Sequence, residues 1–181
     1  MKYLSEIAPN LNEQQLRSHL GRFGFSDNVF QEIKKLSGGE RARLVFAGLT
    51  TDSPNMLILD EPTAGLDPAG RDKILAHIKR YHERTKNTIL IVSHSMEDIA
   101  TFADKILVMS KAKLFCYDET VNVFARADEI SGIGLDVPQI TKVFGELRRR
   151  GLDFGKEVYT VGYARDLLLK HLNAKGGTMN C

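Results

Sequence analysis

Long apolar runs, cysteine and surplus charge are what this chain lacks. No stretch approaches the roughly 20 consecutive apolar residues that a membrane-crossing helix requires, so any membrane attachment is expected to come through a partner. The start Met1-Lys2-Tyr3-Leu4-Ser5-Glu6 has no apolar centre of the kind a secretory signal needs. The two cysteines, Cys116 and Cys181, stand far apart and without metal-ligand spacing. That excludes a disulfide scaffold and fits a reducing, cytoplasmic setting. Cys116 lies in an apolar run and is expected to pack in a core, with Cys181 at an exposed chain end. Formal net charge is only +2, so the overall field favours neither nucleic acid nor a membrane surface. Repeats and low-complexity tracts are also missing.

What is present is a soluble balance, 43% hydrophobic and 27% charged over 181 residues, enough for one core and a smaller appendage. Residues 12–24 predict a helix, with Asn12 as cap, Gln15 as its capping-box partner, and Leu16, Leu20 and Phe23 on one side. Gly24 ends it and Ser26-Asp27-Asn28 predicts a turn. A second helix is expected over 40–51 with Ala42, Val45, Phe46 and Leu49 as its apolar side. Met56-Leu57-Ile58-Leu59 predicts a buried strand ending in an acid, followed by a helix over 69–83 carrying Ile74, Ile78 and Tyr81. Ile89-Leu90-Ile91-Val92 is the next buried strand, ahead of a helix near 95–103. Ile106-Leu107-Val108-Met109 and Leu114-Phe115-Cys116-Tyr117 then form a late hairpin. The alternation argues for an α/β layer with a mainly parallel sheet. Beyond Ala127 come an amphipathic helix over 139–150, bearing Ile140, Val143, Phe144 and Leu147, and another near 162–173. The tail 176–181 is expected to fray.

Four places carry chemistry. Asp60 and Glu61 leave the end of a strand, the edge of an α/β sheet where ligands lie, and a buried carboxylate there needs a metal, a base or hydrogen bonds. Ser37-Gly38-Gly39-Glu40 opens a helix and offers backbone N–H groups, a hydroxyl and the helix dipole to an anion. The same residues also suit a tight turn with an ordinary cap. His94 follows a strand and Ser93, as a polar donor or as a plain helix-capping residue. Asp67, before Pro68-Ala69, can cap the next helix. His19, His77, His82 and His171 lack metal spacing, and His77 and His82 are expected to be solvated. Arg148-Arg149-Arg150 is expected at a solvent-facing helix end, with no aromatic lattice nearby to mark an RNA surface.

Leu36-Ser37-Gly38-Gly39-Glu40, Met56 to Glu61, Ala64-Gly65-Leu66-Asp67 and Ser93-His94 together resemble, in order and spacing, the ATPase domain of ATP-binding cassette (ABC) proteins. The resemblance implies a P-loop NTPase fold, ATP and Mg2+ as cofactors, and a site shared by two subunits. It gives Ser37, Gly38, Gly39 and Glu40 to the γ-phosphate of ATP held by a second ABC ATPase subunit. Asp60 becomes the Mg2+ ligand, Glu61 the residue that polarises attacking water, His94 the switch histidine, and Asp67 part of the subunit interface.

From Asp60 onward, through Ser93-His94-Ser95-Met96-Glu97-Asp98 and Arg126-Ala127-Asp128-Glu129-Ile130 to Gly132-Ile133-Gly134-Leu135-Asp136-Val137-Pro138-Gln139, the chain resembles ATPase subunits of energy-coupling factor importers. That likeness implies a membrane coupling protein as partner, a vitamin or metal ion as cargo, and no direct nucleic-acid partner. The stretch from Asn12 to Phe25 resembles the helical subdomain of ABC-F translation factors instead. No G-x-x-x-x-G-K-[ST] pattern occurs, and the adenine-stacking region and glutamine loop of the family are also missing. The expectation is therefore the C-terminal portion of an ABC transporter ATPase, with a partial ATPase domain over 1–125 and a helical accessory region over 126–181. It is expected not to be competent alone, the alternatives being an ABC-F-like fragment or a non-catalytic partner that offers its signature turn in trans.

Overall fold

A computed structural model describes residues 1–26, 29–155 and 157–176, which form two compact units, Met1–Ser93 and His94–Cys181. Asp27, Asn28 and the end of the tail, Cys181 included, lie outside the described residues.

In the first unit, helices α1 (Lys2–Ile7), α2 (Glu13–Arg22) and α3 (Gly38–Leu49) precede strand β1 (Met56–Asp60), helix α4 (Pro68–Thr85) and strand β2 (Thr88–Val92). A 3-10 turn, Ile33–Lys35, leads into α3. The capping box on α2 forms as its spacing predicts: Asn12 Oδ1 accepts the Gln15 N–H at 2.9 Å, and Gln15 Oε1 accepts that of Asn12 at 2.8 Å. Aromatic rings bind α2, α3 and α4 into one core. Phe23 meets Phe46 edge-on with centroids 5.8 Å apart, and Phe46 meets Tyr81 the same way at 5.8 Å.

The buried side of α3 differs from expectation. Leu44, Phe46, Ala47 and Gly48 are buried, while Val45 and Leu49 are about half exposed, at 51% and 48%. The cause is α1, which the polar start of the chain did not announce. A Cβ on Gly48 would come within 2.8 Å of Ile7 Cδ1 and 3.3 Å of the Tyr3 hydroxyl, so the missing side chain admits α1 against α3.

Strands β1 and β2 pair in parallel, with Met56 opposite Thr88 and Asp60 opposite Val92, joined by α4 as crossover. Only one face of β1 is covered. Leu57 and Leu59 are buried, whereas Met56, Ile58, Leu90 and Val92 are exposed. A run that looks continuously buried in sequence is thus half-buried in this unit, because helices cover one side of the pair alone.

The second unit holds α5 (Met96–Phe102), the antiparallel hairpin β3 (Lys105–Ser110) and β4 (Lys113–Glu119), and helices α6 (Thr120–Phe124), α7 (Ala127–Gly132), α8 (Gln139–Arg149) and α9 (Val161–Gly176). Lys111 and Ala112 close the hairpin with φ of 49° and 58°, the two-residue geometry that matches strand twist. Among the described residues, two hydrophobic clusters hold this unit. One joins Ala100, Val108, Val123, Phe124, Ile130 and Val137, with Cys116 packed half-buried against it. The other joins Phe144, Val158 and Ala164. Arg148, Arg149 and Arg150 end α8 exposed and engaged with acids, Arg148 with Glu157 at 2.9 Å and Arg150 with Glu146 at 2.8 Å. No helix among the described residues is long and apolar enough to cross a membrane.

Candidate functional site

Ser37 caps α3 through a second capping box. Its backbone N–H donates to Glu40 Oε2 at 2.8 Å, and its Oγ accepts the Glu40 N–H at 3.3 Å. The bond from the Ser37 backbone N–H, and after it the Ser37 side chain, holds the Glu40 carboxyl below the usual carboxylate range, with Arg43 and Lys73 adding attraction. Glu40 is therefore a structural anion that fixes the turn. Ser37 and Gly38 are exposed and Gly39 is buried.

Gly39 is buried because α4 begins against it. A Cβ on Gly39 would stand 3.3 Å from Gly70 Cα, and one on Gly38 would stand 3.6 Å from Leu66 Cδ2 and 3.9 Å from the Gly65 carbonyl. Asp67 is the N-cap of α4, its Oδ1 accepting the Gly70 N–H at 3.2 Å with Pro68 beginning the helix. The starts of α3 and α4 thus share one surface. Gly70 was not singled out from sequence. The available signal was a glycine in the first turn of a well-formed helix, which marks close approach.

Asp60 and Glu61 end β1. The Glu61 N–H donates to the Val92 carbonyl at 2.8 Å and carries the strand pairing one residue past Asp60. Glu61 then turns with φ of +46°, a left-handed conformation that costs a non-glycine residue about 1 kcal/mol. Its carbonyl accepts the Ala64 N–H at 3.0 Å, and Gly65, at φ +69°, completes the reversal that delivers Asp67. Asp60 is exposed rather than buried, so water screens its charge and no compensating partner is required. The pair offers hard oxygen ligands to Mg2+, an ion that takes one or two carboxylates and completes its shell with water and phosphate oxygens. Among the described residues no cluster of three or more His, Cys, Asp and Glu side chains gathers to hold a metal unaided.

His94 begins the second unit as an exposed residue just ahead of Ser95, the N-cap of α5, whose Oγ accepts the Asp98 N–H at 3.3 Å. His19, His77 and His82 are engaged within the first unit. His19 is buried with Nε2 2.8 Å from the Ala47 carbonyl. His77, expected to be solvated, is half-buried against the Phe23 ring at 5.3 Å. Burial, then the charges of Arg80 and Arg43, push its pKa down to about 4. His82 is also half-buried, with Nδ1 2.8 Å from the Asn87 carbonyl.

The sequence profile of the family described as ABC transporter matches residues 6–64. The chain is 39% identical over 178 residues to the energy-coupling factor transporter ATP-binding protein EcfA2 of Clostridium tetani, covering 95% of this chain and 61% of that protein. It is 45% identical over 146 residues to the EcfA2 of Caldanaerobacter subterraneus subsp. tengcongensis, covering 81% and 50%. Among solved structures, cbiO1 of Clostridium perfringens, part of the ABC transporter complex cbiONQ, superposes with a TM-score of 0.62 at 29% identity, covering 77% of this chain and 58% of that one. A putative metal-chelate type ABC transporter shares the fold with a TM-score of 0.60 at 21% identity, over 72% and 55%. The fold is that of an ABC-type P-loop NTPase, an α/β domain with parallel and antiparallel strand pairs and a C-terminal helical region. The sequence similarity is to energy-coupling factor ATP-binding proteins, and the chain spans between about half and three fifths of their length.

Three expectations are corrected. The likeness is not confined to C-terminal motifs, since the family match starts at residue 6. The ABC-F resemblance of the N-terminal stretch falls away with it. Asn12 to Phe25 folds as capped helix α2 packed on α3, and a capping box with an amphipathic stripe is generic to helices, so it does not separate one ABC branch from another. The expectation that the chain is not competent alone, and with it the open question of an enzymatic role, rested on an absent phosphate-loop pattern. The ABC transporter match runs across that N-terminal stretch, and the expectation does not stand.

Proposed function

We propose that this chain acts as an ATP-binding component of an energy-coupling factor transporter, paired with a second ABC ATPase subunit and coupled through the pair to a membrane protein. The observation that carries this reading is the junction of the 37–40 turn with the Leu66 to Gly70 segment, in a chain alignable with EcfA2 over 95% of its length. It joins an anion-ready helix start to the loop that leaves the two carboxylates.

In this reading the ligand is ATP with Mg2+. Ser37, Gly38 and Gly39 offer the exposed start of α3 to the γ-phosphate of a nucleotide held mainly by the second subunit, with Glu40 keeping the turn in shape. Asp60 would hold Mg2+, which neutralises charge on the phosphates when bound. Glu61 orients the attacking water and accepts its proton, from a backbone conformation pinned by Val92. His94 donates a hydrogen bond to the γ-phosphate. Asp67 caps α4 and lies toward the second subunit.

The test is Mg-ATP turnover by the chain purified together with a second energy-coupling factor ATPase subunit. Glu61→Gln is expected to lower turnover by roughly 100-fold or more while ATP binding persists. Undiminished turnover in that variant would sink the assignment.

A further inference from the structure

Helix α8 lacks a cap of its own. Its N-cap position is Pro138, which has no side-chain oxygen, and its first turn carries no acidic residue. The N–H of Gln139, its first residue, donates instead to Glu97 Oε1 at 3.4 Å, across 42 positions of sequence. Glu97 stands in the first turn of α5. One carboxylate therefore serves the starts of two helices, and each start favours negative charge.

Packing reinforces this clip. Ala100 of α5 and Val137, just ahead of Pro138, are buried in the same cluster. Phe144, farther along α8, belongs to the other cluster with Val158 and Ala164. The start of α8 is thus fastened to α5, and its later turns to Val158 and α9. His94 directly precedes the Ser95 cap of α5, so whatever fixes α5 fixes the backbone from which the histidine projects.

We infer that Glu97 is a positioning residue for His94, fastening α5 to α8 so that the histidine's placement depends on the accessory helices. The inference rests on the proposed role of His94 at the γ-phosphate.

Two substitutions remove the clip from opposite ends. Glu97→Ala deletes the acceptor. Gln139→Pro deletes only the donor N–H, at a first helical position where proline is well accommodated. Glu97→Gln restores an acceptor oxygen. In the chain paired with a second energy-coupling factor ATPase subunit, each of the first two is expected to lower kcat roughly threefold to tenfold, with KM for ATP unchanged. The double variant should be no worse than either single, Glu97→Gln should recover most of the loss, and amide exchange over 96–102 should quicken in both single variants.

Unchanged kcat in both single variants, or losses that multiply in the double, would overturn the clip if Glu61→Gln is inactive in the same assay. Full turnover by Glu61→Gln would instead overturn the reading of the site, and the inference falls with it.

Discussion

Gly39 and Gly70 meet backbone to backbone: a Cβ on the first would lie 3.3 Å from the Cα of the second. The contact sets the starts of α3 and α4 side by side and brings Leu66 within reach of Gly38. Neither helix could approach so closely with a side chain at the junction.

Gly39→Ala should therefore destabilise the first unit despite alanine's better helix propensity. The propensity gain is about 1 kcal/mol, against about 1–3 kcal/mol for overpacking a contact whose far side is main chain. Urea unfolding should show a lower midpoint. Gly70→Ala should do the same, since its Cβ would fall 2.6 Å from Asp67 Oδ1 and disturb the cap.

Glu61 is held at φ +46° in a turn that glycine would enter more readily. Glu61→Gly is expected to leave thermal stability unchanged or slightly higher while Mg-ATP turnover in the subunit pair falls roughly 100-fold or more. A variant that unfolds well below the parent would show that the carboxylate, rather than the backbone pairing to Val92, holds the turn.

His77 gives the first unit a pH dependence. Its pKa falls from 6.5 in the unfolded chain to about 4 in the fold, so the unfolded chain binds the extra proton between those values. The stabilisation is present above pH 6.5, is lost progressively as pH falls toward 4, and then levels off. Because the ring is only half-buried, solvent screening reduces the effect to about 1–2 kcal/mol. His77→Phe keeps a ring against Phe23 and should flatten the stability profile between pH 4 and 6.5.

Ile58, 64% exposed, lies on the open apolar face of β1 and β2 with Met56, Leu90 and Val92. Ile58→Lys should change stability by no more than about 0.5 kcal/mol and reduce concentration-dependent association, as seen by light scattering. A large loss of stability would mean that the face is covered in solution.

Local chemistry was written in the order of residues. Asn12 with Gln15, Asp67 with Pro68, and the four-residue apolar runs fix caps and strands because each depends on neighbours a few positions away. The order of the signature turn, the two carboxylates and Ser93-His94 was likewise enough to suggest the ABC-type fold. Packing between distant segments decided the rest. Periodicity alone could not reveal that α1 would settle on Gly48 and turn the buried side of α3 away from Val45, or that Phe23 would shield His77. It could not pair Gly39 with Gly70, or supply α8 with Glu97 in place of a cap. These contacts join residues tens of positions apart, and their energies exist only once helices are close enough for one missing side chain to matter.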